Sequence, residues 1–204
     1  EWRHKILAAI RALEGGISFS GIVEADELLM QYSEKGRKFK NKEEYQRAKK
    51  KKHPKVAVLV VTDREGNILF KQVGEKKVKN EQLREELKSR LSENNLICVK
   101  PKKEFRKAVK SLQSKKVIVN KKQIKRGIYS VKIVENKISD FKTWLSRFHG
   151  VATKYLQSYL MWFVIMNKYL KELIDPDIGR LLNLSSHDRW AWDKYREIVS
   201  QRYD

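Results

Sequence analysis

The sequence has 204 residues, of which 41% are apolar, and this length and composition predict one sizeable domain with an appended helical part rather than a disordered chain. Its 46 Lys and Arg outnumber 25 acids, giving a net charge of +21 that favours a polyanionic partner, while the single cysteine, Cys98, excludes an internal disulfide and a zinc site built on paired cysteines. No apolar run reaches the roughly 20 residues of a membrane helix and the N-terminus lacks the plan of a signal peptide, so we expect a cytoplasmic protein without a membrane partner.

The first two predicted elements are a helix and a strand that carries carboxylates. Residues 1–16 place apolar side chains at helical spacing and stop at a Gly pair. The stretch GIVEADELLM then reads as a strand, in which Glu24 and Asp26 share one face and Glu27 takes the other. That acidic face either meets solvent or holds a metal ion.

A basic stretch and a hairpin follow. SEKGRKFKNKEEYQRAKKKKHP is predicted to be a mobile loop with one helical turn near Tyr45. Lys55 to Val73 contains two β-branched, apolar runs around a turn at Arg64 to Asn67, which predicts an antiparallel hairpin with Asp63 at its tip.

The second half alternates helices with short strands before it becomes helical. We expect a helix capped by Asn80 (NEQLREELKSRLSE), the strand NLICV, the basic helix KKEFRKAVKSL and the strand KKVIVN. Helices are then predicted over 133–148, 153–173 and 190–203. The aromatic residues of the 153–173 helix recur at helical spacing, which favours core or a subunit contact over a base-stacking platform.

This order of elements predicts an α/β fold. Three antiparallel strands followed by α-β-α-β-α form a mixed sheet flanked by helices, and this is the element order of the ribonuclease H (RNase H) fold, here with C-terminal helices. In that fold the middle of the first strand and the end of the fourth each carry a carboxylate, and a later helix carries a third.

The basic residues occur in runs, KGRKFKNK, RAKKKKHPK and KKQIKR, which favours phosphate contacts with nucleic acid. A solvated Lys-rich surface remains the alternative, and a membrane surface is disfavoured because no run lies on a clearly amphipathic helix. The candidate nucleic-acid-binding residues are Lys35, Arg37, Lys38, Lys40, Lys49, Lys50, Lys51, Lys52, Lys122, Lys125 and Arg126.

Two stretches carry a family resemblance. FHGVATKYLQSYLMWF, and GIVEADE with the preceding WRHKILAAIRAL, resemble the DDE-type transposases of bacterial insertion sequences, in particular the ISXO-two-like group; DREGN and RGIYSVKIVEN fall in the expected order. The resemblance implies an RNase H-like domain at 17–150, a helical extension at 151–204, and residues 1–16 as the tail of an absent upstream helix-turn-helix. It also implies a bacterial, nucleoid-associated protein that binds DNA and pairs with itself or another protein through its C-terminal helices.

The resemblance also implies a catalytic site in which three acidic ligands hold two Mg ions. Carried over by position, Asp26 is the first ligand and Glu135 the third. The second should be an Asp at the end of the fourth strand, where this chain reads LICVKPKK and places Lys100. Glu93 and Glu104 lie several residues away, so neither replaces the missing ligand without remodelling.

A lysine at this position suits an empty site, because its ammonium relieves the repulsion between two neighbouring carboxylates. We therefore predict that Lys100 pairs with Asp26 or Glu135 in place of Mg. The leading hypothesis is a domesticated, catalytically inactivated transposase that binds nucleic acid, with no cofactor. The alternatives are an active transposase using Asp26, Glu135 and Mg, and a protein-binding scaffold on the same fold.

Overall fold

The computed structural model describes residues 2–10, 16–112, 114–119, 125–126, 128–169, 193 and 196. Within them, helices and strands follow the predicted order, with one additional helix and one additional pair of short strands. The elements are α1 (Trp2–Ile10), β1 (Ile22–Met30), α2 (Lys42–Lys50), β2 (Val56–Asp63), β3 (Ile68–Glu75), α3 (Asn80–Lys88), β4 (Leu96–Val99), α4 (Lys103–Lys110), β5 (Lys115–Ile118), β6 (Lys125–Arg126), β7 (Tyr129–Ser130), α5 (Lys132–Ser146) and α6 (Thr153–Tyr169).

Five strands form one mixed sheet in the order β3-β2-β1-β4-β5. β1, β2 and β3 are antiparallel neighbours, whereas β4 pairs parallel with β1 and β5 pairs parallel with β4. All eight residues of β2 are buried, as its unbroken run of apolar residues predicts for a strand covered on both faces. The chain therefore has the RNase H-like mixed sheet expected from its sequence.

Helices cover both faces of the sheet. Because strand side chains alternate, Val23 and Ala25 of β1 pack with Leu83 of α3 and Phe105 of α4 on one face. On the opposite face the sheet packs against α5 and α6, in a cluster centred on the aromatic rings of Phe70, Phe141 and Phe163. Full burial of such a ring contributes about 1.5–3 kcal/mol to folding.

α6 belongs to this core. Its Leu160 and Phe163 lie against the sheet, while Tyr159 and Ile165 pack with Leu7 of α1. The reading of this aromatic segment as core is confirmed for Tyr159 and Phe163, each 3% exposed. The boundary predicted at residue 150 stays a prediction. Among the described helices, none has the length and apolarity that a membrane crossing requires.

Two local predictions were wrong. The basic stretch after β1 holds a nine-residue helix, α2, and not a single turn: Asn41 Oδ1 accepts a hydrogen bond from the Glu44 backbone N–H at 2.8 Å, and the first turn is acidic. α2 buries no residue, so it has no apolar stripe to reveal it.

Asn80 is the first residue of α3 rather than its cap. The Gln82 side chain instead accepts a hydrogen bond from the Lys79 backbone N–H at 3.1 Å. The helix predicted at 190–203 lies outside the described residues, apart from residues 193 and 196.

Candidate active site

The strand pairing brings the three predicted site residues together. Asp26 lies in the middle of β1, and Ala25 pairs with Val99, the last residue of β4. Lys100 follows Val99 and so lies beside Asp26. Glu135 lies in the first turn of α5, which crosses the same face of the sheet. The three residues line a cleft of about 500 Å³.

The ammonium of Lys100 lies between the two carboxylates. Its Nζ is 2.5 Å from Asp26 Oδ2 and 2.6 Å from Glu135 Oε1. The Asp26 side chain is only 5% exposed, whereas that of Glu135 is 32% exposed. The carboxylate of Asp26 therefore needs the ammonium more, because a buried charge without a partner is costly. The pairing predicted for Lys100 is present, with both acids at once.

A second lysine, which sequence reasoning missed, completes the cluster. Lys102 Nζ lies 3.0 Å from Asp26 Oδ1 and 2.9 Å from Glu27 Oε1. Each oxygen of Asp26 therefore has its own ammonium. The only signal in the sequence was the alternation Lys-Pro-Lys after β4, which places two cations within reach of the same strand end.

Hydrogen bonds hold Lys100 in its charged form. Burial by itself lowers the pKa of a lysine, but the hydrogen bonds to Asp26 and Glu135 and their negative charge outweigh it and raise the pKa of Lys100 above its ordinary value. The group is therefore a fixed cation at neutral pH and not a nucleophile or a general base.

A third carboxylate of β1, Glu24, positions α5. Glu24 is 1% exposed and shares the sheet face of Asp26, as the strand alternation predicts. It accepts hydrogen bonds from the backbone N–H groups of Ile133 and Val134, at 2.8 and 3.1 Å, and from the Ser130 hydroxyl at 2.8 Å. A carboxylate is favourable at a helix N-terminus, where N–H groups lack partners. Glu24 thus fixes the start of the helix that carries Glu135.

The donor set does not fit Mg. The ion needs anionic or neutral oxygen ligands, and here an ammonium lies within 2.6 Å of both carboxylates, in the space that a shared cation would take. The described ranges contain no group of three or more His, Cys, Asp or Glu side chains placed to hold an ion. Glu104 does not line this cleft, and its Oε1 pairs with Lys77 Nζ at 2.9 Å.

Asp63, the last residue of β2, has a structural role. It is 2% exposed and accepts from the backbone N–H groups of Ser20 and Asn67, at 3.0 and 2.9 Å. The side-chain amide of Asn67 donates a third hydrogen bond, to Asp63 Oδ2, at 2.8 Å. Asp63 therefore closes the β2–β3 turn, where the hairpin prediction located it.

The candidate phosphate contacts fall into two groups. In the first group, Lys35 and Arg37, the charged side chains bind other groups of the chain. Lys35 Nζ donates to the carbonyls of Phe148, His149 and Gly150 at 3.0, 2.9 and 3.0 Å. Arg37 pairs with Glu34 and Glu44 at 2.8 and 3.2 Å. The other described candidates are exposed and lie in the loop after β1, on α2 and just beyond it: Lys38, Lys40, Lys49, Lys50, Lys51 and Lys52.

The third basic run remains a prediction. Lys125 and Arg126 form β6, which pairs with β7, but the structure does not describe their side chains, and Lys122 lies outside the described residues.

Comparison with known proteins identifies the family. The family profile described as the ISXO2-like transposase domain matches residues 18–165. No curated protein matches the chain. Among solved structures, the crystal structure of a pre-cleavage Mos1 transpososome is similar at 12% sequence identity and a TM-score of 0.39; the match covers all of this chain and 65% of the length of the other. Because the matched range includes the whole five-stranded sheet, α5 and most of α6, the chain belongs to the family of ISXO2-like transposase domains.

Proposed function

We propose that this chain is a transposase-derived domain that binds nucleic acid without cutting or joining it. The nucleic acid that we propose as its partner is DNA. One observation carries the proposal: at the position due to hold the second metal ligand, Lys100 places its ammonium 2.5 Å from Asp26 and 2.6 Å from Glu135. In this proposal the Lys100 ammonium takes the place that a catalytic metal ion would otherwise have between the two carboxylates. In this proposal the chain acts by recognition, regulation or assembly at the nucleoid.

The charge of the chain supports retained binding. A net charge of +21 attracts a polyanion through phosphate neutralisation and counterion release. The exposed lysines of the loop after β1 and of α2 offer contacts that position a backbone without reading its sequence. Binding by these residues should weaken steeply as the salt concentration rises.

Calorimetry with Mg and Mn tests the loss of metal binding. We expect no binding to the wild type and a gain in the double variant Lys100→Asp/Lys102→Gln, which supplies the missing carboxylate and removes the second ammonium from Asp26. Lys100→Asp alone should bind more weakly, because Lys102 still neutralises Asp26 at 3.0 Å. The matched control is Lys103→Asp, an identical change at an exposed position of α4.

Two DNA assays complete the test. The wild type should bind a labelled duplex with a strong salt dependence and leave it intact in the presence of either metal. Tight metal binding by the wild type together with metal-dependent strand cleavage would show that the chain is an active enzyme. Absence of any salt-dependent DNA binding would instead favour a protein-binding scaffold.

A further inference from the structure

A second cleft, of about 530 Å³, lies between the end of β1, the loop that follows it and α2. We refer to it as the aromatic cleft, because its walls include Tyr32, Phe39, Tyr45 and His53. Lys49 and Lys52 lie at the same cleft and are exposed. It is separate from the cleft that holds Asp26 and Lys100.

The aromatic rings are arranged in two pairs. Tyr32 and His53 stack with ring centroids 4.3 Å apart and an interplanar angle of 20°, and Phe39 and Tyr45 meet edge to face at 5.3 Å. Among the Phe, Tyr and Trp side chains that the structure describes, Tyr45 alone is exposed, at 45%. A partly exposed ring beside lysines is the arrangement on which proteins stack nucleic-acid bases, because the base covers the ring while the cations meet the phosphates.

The cleft is held in shape without a ligand. Arg37 bridges Glu34 and Glu44, which joins the loop to α2, and its guanidinium lies 5.1 Å from the centre of the Phe39 ring. Lys35 ties the same loop to the end of α5 through three backbone carbonyls. A preformed cleft binds with less loss of conformational entropy than a loop that must first order.

The polar groups of the cleft suit a strand of nucleic acid. Arg37 neutralises Glu34, so the acid does not cancel the charge of Lys49 and Lys52. Glu34 Oε1, in the cleft wall, is buried and accepts no hydrogen bond, although His53 Nε2 is 3.5 Å away. The carboxylate of Glu34 therefore lies between Arg37 and His53, and the exposed charge of the cleft is that of its lysines.

We propose that the aromatic cleft binds one unpaired base of a nucleic-acid strand, with the base stacked on Tyr45 and the flanking phosphates at Lys49 and Lys52. The inference rests on the proposed function, since it assumes a nucleic-acid partner. It adds a preference that phosphate contacts alone do not give, because a base inside a duplex has no free face to stack on a side chain. The partner is thus a duplex with a single-stranded segment rather than a blunt duplex.

Fluorescence anisotropy with the full chain and three labelled DNA probes tests this. The probes are a blunt duplex, the same duplex with a single-stranded tail of about six nucleotides, within the site sizes of single-strand-binding folds, and the same duplex with an abasic tail of equal length. The abasic tail keeps the phosphates and lacks the bases. We expect the wild type to bind the base-containing tail at least about fivefold more tightly than the abasic tail, since stacking on an aromatic residue is sequence-tolerant and substantial.

Substitutions assign this difference to the cleft. Tyr45→Ala should bind both tails alike, whereas Tyr45→Phe should keep the preference because it keeps the ring. Lys49→Ala/Lys52→Ala should weaken binding of both tails and leave their ratio unchanged. The control is Ile128→Ala, which truncates another exposed apolar side chain, 62% exposed, outside the aromatic cleft. Circular dichroism checks that each variant is folded.

The outcomes separate this inference from the proposed function. Equal binding of the two tails by the wild type, or a preference that survives Tyr45→Ala, overturns the base site and leaves DNA binding intact. Binding to none of the probes overturns both proposals.

Discussion

Removing Lys100 should destabilise the fold, by an amount that the geometry bounds. Breaking a buried ion pair costs about 3–5 kcal/mol, while an exposed pair contributes about 0–1 kcal/mol. Lys100 is 26% exposed, and Asp26 keeps Lys102 at 3.0 Å when Lys100 is gone. We therefore expect Lys100→Ala to lower the free energy of unfolding by about 1–2 kcal/mol, between those limits.

The double variant is more informative than either single one. Lys102 is 33% exposed and lies further from Asp26, so Lys102→Ala should cost about 1 kcal/mol. Each single variant leaves Asp26 with one ammonium, but Lys100→Ala/Lys102→Ala leaves a carboxylate that is 5% exposed with neither. The double variant should cost about 3–5 kcal/mol, which exceeds the sum of the single losses, about 2–3 kcal/mol, by about 1–2 kcal/mol.

Urea denaturation of the wild type and the three variants, followed by circular dichroism, measures these differences. Lys88→Ala, which truncates an exposed lysine of α3, is the control and should change the stability by less than about 0.5 kcal/mol. When the three variants also carry Asp26→Asn, the stability loss of the double variant should fall close to the sum of the single losses, because the buried charge is then absent. If the losses in the double variant simply add, or if Lys100→Ala matches the control, Asp26 does not depend on the two lysines and the reasoning fails.

Three further predictions concern groups around the site. Lys35→Ala should lower stability by about 1–2 kcal/mol, because Lys35 satisfies three carbonyls after α5, and Lys38→Ala should instead weaken DNA binding without changing the urea midpoint. Glu24→Gln should cost about 1–3 kcal/mol in the same denaturation assay, since the amide loses charge-assisted acceptance at the start of α5. Burial, followed by the charge of Glu24, raises the pKa of the Cys98 thiol to about 11, so a thiol reagent at mildly alkaline pH should label Cys98 only in unfolded protein; labelling of the native protein at the rate of a free thiol would contradict this.

The pH dependence of the Lys100→Ala deficit has a defined direction. The folded-state pKa of Lys100 is raised, so its contribution to stability is fully present below the ordinary lysine pKa and is lost as the pH rises through the folded value. The deficit should therefore be constant around neutral pH and shrink only under strongly alkaline conditions.

Elements with strong local patterns were predictable from the sequence. The run of β-branched residues in β2 and the turn before Asn67 specify the hairpin by themselves, because register and turn geometry act over a few residues. The place of Lys100 followed from the family resemblance, which puts the second ligand at the end of the short apolar strand β4. α2 was predicted only as one helical turn because it buries no residue and is stabilised by its cap and terminal charges, which resemble a basic loop in sequence.

Apart from the partners of Lys100, the long-range partners were not predictable. Lys35 belongs to a basic run that looks like a phosphate contact, yet its acceptors are 113 to 115 residues away in the chain. Glu24 was placed on the correct strand face, but the helix start that it binds lies 109 residues downstream. Lys102 reaches Asp26, 76 residues away, from the N-cap of α4, and the alternation Lys-Pro-Lys was its only signal in the sequence. In each case the tertiary fold determines which distant group the side chain contacts. Residue type and local spacing do not identify that group.

The attachment of Glu24 to the start of α5 also has an evolutionary consequence. Glu24 holds the start of α5, and with it Glu135, through contacts that involve neither Lys100 nor Lys102, while the pairing of β1 with β2 and β4 positions Asp26. A lineage can therefore exchange a metal ligand for a lysine without rebuilding the backbone around it. Two substitutions, at residues 100 and 102, separate the present cleft from one with carboxylates in all three positions and no ammonium on Asp26.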